Sequence, residues 1–388
     1  MDRKASEILF ALIRAEILHT DALRDEQRAA LSDAETVKVL YELAQQHDLA
    51  HLVGHSLFES GLHGAYKPFE RAHMMAVFRQ EGMSFALDEI REALEGAEIP
   101  FIPLKGALIR DLYPEPWMRT SCDVDVLVHR EDAARAATCL AESLGYRVEE
   151  ESPHDISLFS DGGVHIELHF SLVNENKTDA ASAILRSAWD YAAPLAGRRF
   201  EYGFSDAFFY FYHVAHMARH FAAGGCGIRS FLDLWLLDRE AHNGTARAEM
   251  IERGGLSTFF AAAERLTHLW FSGEGSASDD LLSAMEKFTL FGGAYGSKHN
   301  YVTLQQKKQG GKFGYLLSRM FIPYGQMKYI YPILKKIPLL LPVFWVWRWA
   351  EHLLRGGARR SLDEIRFNQA LSAKDCDDVT QMMRSLQL

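Results

Sequence analysis

The hydrophobic period of this chain changes twice, and that change constrains the fold more than any other feature. Up to about residue 95 apolar residues recur at helical spacing, as in Ile8, Leu9, Leu12 and Ile13 and in Val37, Leu40, Tyr41, Leu43 and Ala44. Ser32-x-x-Glu35 reads as a capping box opening the second of these helices. A long pattern from Phe69 to Leu94 stops at Gly96. Short strand-like segments then take over. Ile99 to Leu104 is apolar and enters a turn, and Lys105 to Leu112 reads as a helix. Asp111 to Ser121 reads as a loop, and Asp123 to Val128 (DVDVLV) alternates acid and aliphatic residues at period 2. Glu131 to Leu144 is an amphipathic helix stopped by Gly145. Tyr146–Glu150, Ile156–Ser160 and Val164–Phe170 read as strands, the last two joined by a hairpin at Asp161-Gly162-Gly163. From about Thr178 the helical period returns. A small sheet-bearing module therefore interrupts a helical chain. The expected divisions are residues 1–95, 96–175, 176–285 and 286–388.

The 388 residues are 48% hydrophobic and 24% charged, which excludes a disordered polymer and leaves room for several buried cores. No apolar run reaches about 18 residues, so no transmembrane segment is expected. The N-terminus reads as an amphipathic helix, not a signal peptide. The four cysteines form no CxxC pair, which argues against a zinc knuckle and fits a reducing, cytoplasmic setting.

Charge is unevenly spread. Between Lys287 and Ala350 there is no Asp or Glu but ten Lys or Arg, so a chain of net charge −10 carries −20 on the remainder. Phe313, Tyr324, Trp345, Trp347 and other aromatics interleave with these bases. The sequence leaves three readings open for this block: a helical packing surface, a site for single-stranded nucleic acid or another anionic acceptor, and a peripheral membrane surface.

On a strand, residues i and i+2 share a face, so Asp123 and Asp125 project together while Val124, Val126 and Val128 point into the core. Two carboxylates this close repel unless a cation lies between them, and Mg²⁺ takes oxygen ligands from one or two carboxylates plus phosphate oxygens. In the strand Val164–His169, His165, Glu167 and His169 share a face. Glu167 is the candidate third acid of a two-metal site. Lys105-Gly106 opens a helix earlier in the same module, where backbone N–H groups approach phosphates.

The order LKGALIRDLYPEPWMRTSCDVDVLV, then a helix, GYRVEE and GGVHIELHFSL resembles an uncharacterised nucleotidyltransferase family of the DNA polymerase beta-type superfamily. The resemblance covers residues 95–172 firmly, and 205–240 and 320–350 more loosely. It implies an α+β fold, with a small mixed nucleotidyltransferase-type sheet embedded between helical regions. It also implies transfer of a nucleoside monophosphate from an NTP, dependent on Mg²⁺ or Mn²⁺, with release of pyrophosphate. Asp123 and Asp125 match the paired metal acids, Glu167 the third acid and Gly106 the phosphate-loop glycine. The Gly-Ser or Gly-Gly usual at that turn is Lys105-Gly106-Ala107 here, so charge on Lys105 stands where a hydroxyl would.

Arg119 either clamps the triphosphate or pairs with Glu115, and Arg110 is expected on a helix surface. His213, His216, Arg219 and His220 are expected on a helix from Ser205 to Ala222 that lines the cleft. Gly224, Gly225 and Gly227 are expected to form a tight turn into the next helix, where Arg229 and Asp233 are spaced to pair with each other. Beside the enzyme reading stand two others: a non-catalytic nucleotide-binding or interaction protein that keeps the fold, and a toxin-like nucleotidyltransferase acting on RNA or protein. The acceptor, the base preference and the oligomeric state are not legible.

Overall fold

The structure, a computed structural model, describes residues 3–20, 23–62, 67–174, 176–240, 242–272, 279–294, 296, 300–302, 304, 312–354 and 373–388. For 312, 315, 316, 319, 352–354 and 373–376 only the backbone is described. Lys298, Lys307 and Lys308 of the basic block lie outside the described residues, as do the side chains of Lys312, Tyr315 and Arg319.

Five helices come first: α1 (Arg3–Leu18), α2 (Asp25–Ala30), α3 (Ala34–Gln46), α4 (Ala50–Glu59) and the 30-residue α5 (Lys67–Gly96). The cap of α3 differs from expectation. Asp33, not Ser32, is the N-cap, and its carboxylate accepts from the Thr36 amide at 3.0 Å. An acidic cap at this position also faces the positive end of the helix dipole.

The sheet module follows: β1 (Phe101–Pro103), α6 (Lys105–Ile109), β2 (Val124–Val128), α7 (Ala133–Leu144), β3 (Arg147–Glu151), β4 (Asp155–Phe159) and β5 (His165–His169). Gly145 ends α7 with φ +74°, a left-handed cap that a residue with a Cβ rarely adopts. The strand order is β1-β2-β5-β4-β3, with β2 and β5 parallel and the other neighbours antiparallel. The fold is therefore α+β with a small mixed sheet. One sheet face carries Val124, Val126, Val128, Ile166 and Leu168, and packs on Met83, Leu87, Ile90 and Leu94 of α5 and on Ala133, Ala136 and Leu140 of α7. The opposite face carries Ile102 and Leu127, which join the other core, and beside them the polar side chains of β2 and β5.

After α8 (Ala180–Arg186) the helical expectation fails briefly. Residues 192–204 form a two-stranded ribbon, β6 (Ala192–Pro194) and β7 (Tyr202–Phe204). These strands are too short to display a period. The ribbon guards the free edge of β1: the Phe101 amide donates to the Phe200 carbonyl at 2.9 Å.

Helices α9 (Asp206–Ala223), α10 (Ile228–Arg239), α11 (Gly244–Arg253), α12 (Ser257–Phe271) and α13 (Asp280–Gly292) follow. The turn between α9 and α10 is glycine-built as expected. A Cβ on Gly227 would lie 2.5 Å from the Ala294 Cα, so only glycine fits. Leu9, Leu12, Leu40 and Leu52 of the first helices share one core with Phe231, Trp235, Phe259 and Trp270. The N-terminal helices are thus packed onto the helices that follow the sheet. The remaining described helices are α14 (Lys312–Met320), α15 (Tyr324–Ile330), α16 (Ile333–Lys336), α17 (Leu341–Leu354) and α18 (Ala373–Ser385). Among the described residues, no helix is long and apolar enough to cross a membrane.

Candidate active site

Parallel pairing of β2 with β5 sets Asp125 opposite Glu167 and Leu127 opposite His169. The pleat then puts Asp125 and Glu167 side by side on the face away from α5 and α7. Asp123 stands one residue before β2 on the same side. Two overlapping groups result: Asp123, His165 and Glu167, and Asp125, Glu167 and His169, each with one ligand atom per residue within 4.8 Å of the others. Glu167 belongs to both. The three acids named from the sequence thus gather around Glu167, in two triplets rather than one. His165 was visible by the same alternation that marks Glu167, but was not singled out.

Electrostatics at this point are uneven. Burial, together with Asp125 and Glu167 alongside, pushes the Asp123 carboxyl up to about 6. Burial also acts against the Asp125 carboxylate, but the hydrogen bond from His169, with Lys105 and Arg119 nearby, brings it down to about 2. His169 Nε2 donates to Asp125 Oδ1 at 3.0 Å and lies 3.3 Å from Glu167 Oε2. Against its burial, these two acids hold the imidazole protonated up to about 9.

A cationic wall stands opposite. Lys105 is the first residue of α6, and its ammonium donates to His216 (2.9 Å to Nε2) above the Tyr212 ring. Burial lowers it to about 8, against the pull of Asp125. Burial and Lys105 together keep His216 neutral, its pKa well below the ordinary value, so its ring nitrogen is free to accept. The His220 ring lies 4.2 Å from His216 and falls to about 4 for the same reasons. Arg219 donates to the Leu172 carbonyl at 3.1 Å and lies 3.3 Å from His216. His213 turns away from this wall and is buried against the Ser230 carbonyl at 3.0 Å.

Three pairings differ from the sequence reading. Arg119 is buried and pairs neither with Glu115 nor with solvent. Its Nε and Nη2 donate to Asp233 at 3.2 and 2.9 Å, and Tyr113 donates to the same carboxylate at 2.7 Å. Arg229 and Asp233 do not pair with each other. Arg229 reaches Asp48 at 2.8 Å and the Thr120 carbonyl at 2.9 Å. The two residues leave α10 in different directions, Asp233 to the buried Arg119 and Arg229 to the half-buried Asp48. Arg110 is likewise buried, donating to the Gly106 carbonyl at 2.9 Å and to Ser121 at 3.0 Å. Helix α10 therefore pins the loop before β2 at two points, which sets the height at which Asp123 enters the site. Asp48, Tyr113 and Thr120 carried no local signal of this role.

Gly106 is buried inside α6, and a Cβ there would meet Arg119 Nη1 at 3.6 Å and Ser121 Cβ at 3.8 Å, ordinary contacts. Helix α6 has five residues, with Lys105 and Gly106 in its first turn.

Fold, carboxylates and cationic wall together define a nucleotidyltransferase-type module. Residues 33–272 match the uncharacterised nucleotidyltransferase family, and the chain belongs to that family. The match takes in α3 through α12 and stops short of the 320–350 stretch. An antigenic nucleotidyltransferase-like protein from Paracoccidioides brasiliensis aligns at 18% identity and TM-score 0.30, over 48% of this chain and 93% of its own. The Thermotoga maritima CCA-adding enzyme, solved with tRNA, aligns at 11% identity and TM-score 0.21, over 77% of this chain and 81% of its own. No curated protein is significantly similar to the chain.

Proposed function

We propose that the chain transfers a nucleoside monophosphate from an NTP to an acceptor hydroxyl or phosphate, using divalent cations held by Asp123, Asp125 and Glu167. The supporting observation is the convergence of these carboxylates from two register-paired strands, opposite Lys105. The donor set is oxygen-rich with two flanking imidazoles, which suits Mg²⁺ or Mn²⁺. When bound, the cations acidify the attacking oxygen and neutralise charge on the triphosphate and the leaving pyrophosphate.

The chain's own residues supply position and charge. Lys105 projects an ammonium toward the acids from the neutral platform of His216 and sits where triphosphate oxygens approach them. Arg119 adds a fixed positive charge whose orientation Asp233 sets. The acceptor oxygen bonds to the α-phosphorus as the bond to pyrophosphate breaks, a reaction that requires alignment more than covalent help. His169, Arg219 and His220 border the same space.

One observation favours the non-catalytic alternative. His169 Nε2 already contacts both Asp125 and Glu167, neutralising part of the charge a cation would meet. Calorimetry with Mn²⁺ and a non-hydrolysable triphosphate separates the readings, followed by transfer of an α-labelled triphosphate to a broad acceptor panel. Triphosphate binding that requires Mn²⁺ and disappears in Asp125→Asn is expected. Metal-independent binding unaffected by that substitution would sink the metal reading.

A further inference from the structure

Residues 312–354 hold together through their own contacts. Trp345 and Trp349 donate their indole N–H groups to the carbonyls of Ile322 (2.8 Å) and Met320 (3.0 Å), and both rings pack edge-on against Phe321. Met327 and Leu334 are fully buried within this unit. Yet none of its described side chains belongs to either of the two cores. A helix apolar on all sides is stable only when every side is covered. The first half of α17, Leu341 to Trp347, is apolar all round, with Trp345 turned inward on Phe321 while Val343, Val346 and Trp347 are about 60% exposed. The turn before it projects Leu339, 90% exposed, flanked by exposed Ile333 and Ile337. Lys335 and Lys336 close α16 beside that tip. Lys328 sits on the Tyr329 ring at 5.1 Å.

Bare aliphatic side chains at a protruding turn gain nothing from nucleic acid, whose accessible groups are phosphates and stacking bases. Residues 312–350 carry no acid, and Glu351 accepts from Tyr331 at 3.0 Å; a surface with two lysines beside the apolar tip complements a layer that is negative at its surface and hydrocarbon below. Trp347 at the margin suits the polar–apolar boundary. We propose that this unit docks the protein on an anionic lipid bilayer, with Ile337 and Leu339 entering the acyl boundary and Lys335 and Lys336 at the headgroups. It would hold the protein on the membrane without spanning it.

The test is flotation of the full-length protein with phosphatidylcholine vesicles, with and without phosphatidylglycerol. Flotation with the anionic vesicles only, reduced by high salt, is expected. Leu339→Asp and the pair Lys335→Glu/Lys336→Glu should each weaken partitioning at least about tenfold with unchanged urea unfolding. Absence of flotation with anionic vesicles overturns the proposal, as does flotation equal in wild type and variants. A wild-type dimer that Leu339→Asp dissociates, without lipid binding, assigns the surface to a second copy instead and also overturns it. Single-stranded RNA binding abolished by Leu339→Asp, again without lipid binding, counts against it in the same way.

Discussion

Asp125 and Glu167 are register partners across the parallel β2–β5 pair, and His169 donates to the first at 3.0 Å while lying 3.3 Å from the second. Asp123 lies beside His165 instead, and burial with Asp125 and Glu167 alongside holds it up to about 6. Asn substitutions should therefore separate chemistry from stability. Both Asp123→Asn and Asp125→Asn are expected to lower nucleotide transfer by roughly 10²–10³-fold, the scale of losing one preorganised electrostatic contact. In urea unfolding without metal, Asp125→Asn should cost about 1–3 kcal/mol, because His169 loses a charged partner. Asp123→Asn should be neutral or stabilising, because it removes a crowded buried charge. Chelation with EDTA should abolish any Mn²⁺-induced rise in wild-type Tm and leave both variants unaffected.

Lys105 offers a readout in pH. Its ammonium is lowered to about 8 by burial. If Lys105 meets the triphosphate as proposed, that charge is present below about pH 8 and lost above it. Triphosphate KM is expected to be flat from pH 6.5 to 7.5 and to rise from pH 8 to 9.5. Lys105→Met should raise KM about 10–100-fold, the scale of one charge-assisted hydrogen bond, and remove the alkaline rise. An alkaline rise that persists in Lys105→Met would assign the titration to another group.

Arg119 and Asp233 are both buried and joined by two hydrogen bonds. Removing one partner strands the other charge. Asp233→Leu is expected to cost about 3–5 kcal/mol in urea unfolding, and Arg119→Met a comparable amount. The double variant Arg119→Met/Asp233→Leu should lose much less than the two singles together, a coupling of about 2 kcal/mol or more. Stability restored in the double variant without restored triphosphate affinity would show that Arg119 serves the substrate as well as the loop. Additive losses would show that the pair is not a unit.

What the sequence revealed and what it hid follow from the range of the interactions. The acids lie on strands whose alternation is local, so Asp123, Asp125 and Glu167 could be placed on one face from spacing alone. Their convergence needed only that the two strands be neighbours. Arg119 and Asp233 are 114 residues apart, and Arg229 and Asp48 are 181 apart. Spacing favoured the local Arg229–Asp233 pair, and tertiary packing overrode it. Arg110 looked solvated because a five-residue helix has too little periodicity to show a buried face. β6 and β7 escaped notice because three residues cannot display a period.

The buried histidines at the α3–α4 junction predict an acid transition. His47 is packed between the junction and the end of α13, with Nε2 3.2 Å from the Leu290 carbonyl, and burial lowers it from 6.5 to about 4. His51 donates to the Met118 carbonyl at 2.9 Å and is lowered similarly, with burial again the largest cause. Both are neutral in the folded protein. Between about pH 6.5 and 4 the unfolded chain takes up protons that the folded chain refuses, so stability falls as pH falls through that window. The histidine contribution is fully present above about pH 7, and for His47 alone its loss reaches about 3 kcal/mol near pH 4. His51→Gln can keep an N–H donor toward Met118 O without a group that titrates here. It should flatten the dependence of urea-unfolding free energy on pH between 6.5 and 4.5, at a cost of about 1 kcal/mol at pH 7.5. Equal slopes for wild type and both His51→Gln and His47→Gln would place the acid sensitivity elsewhere.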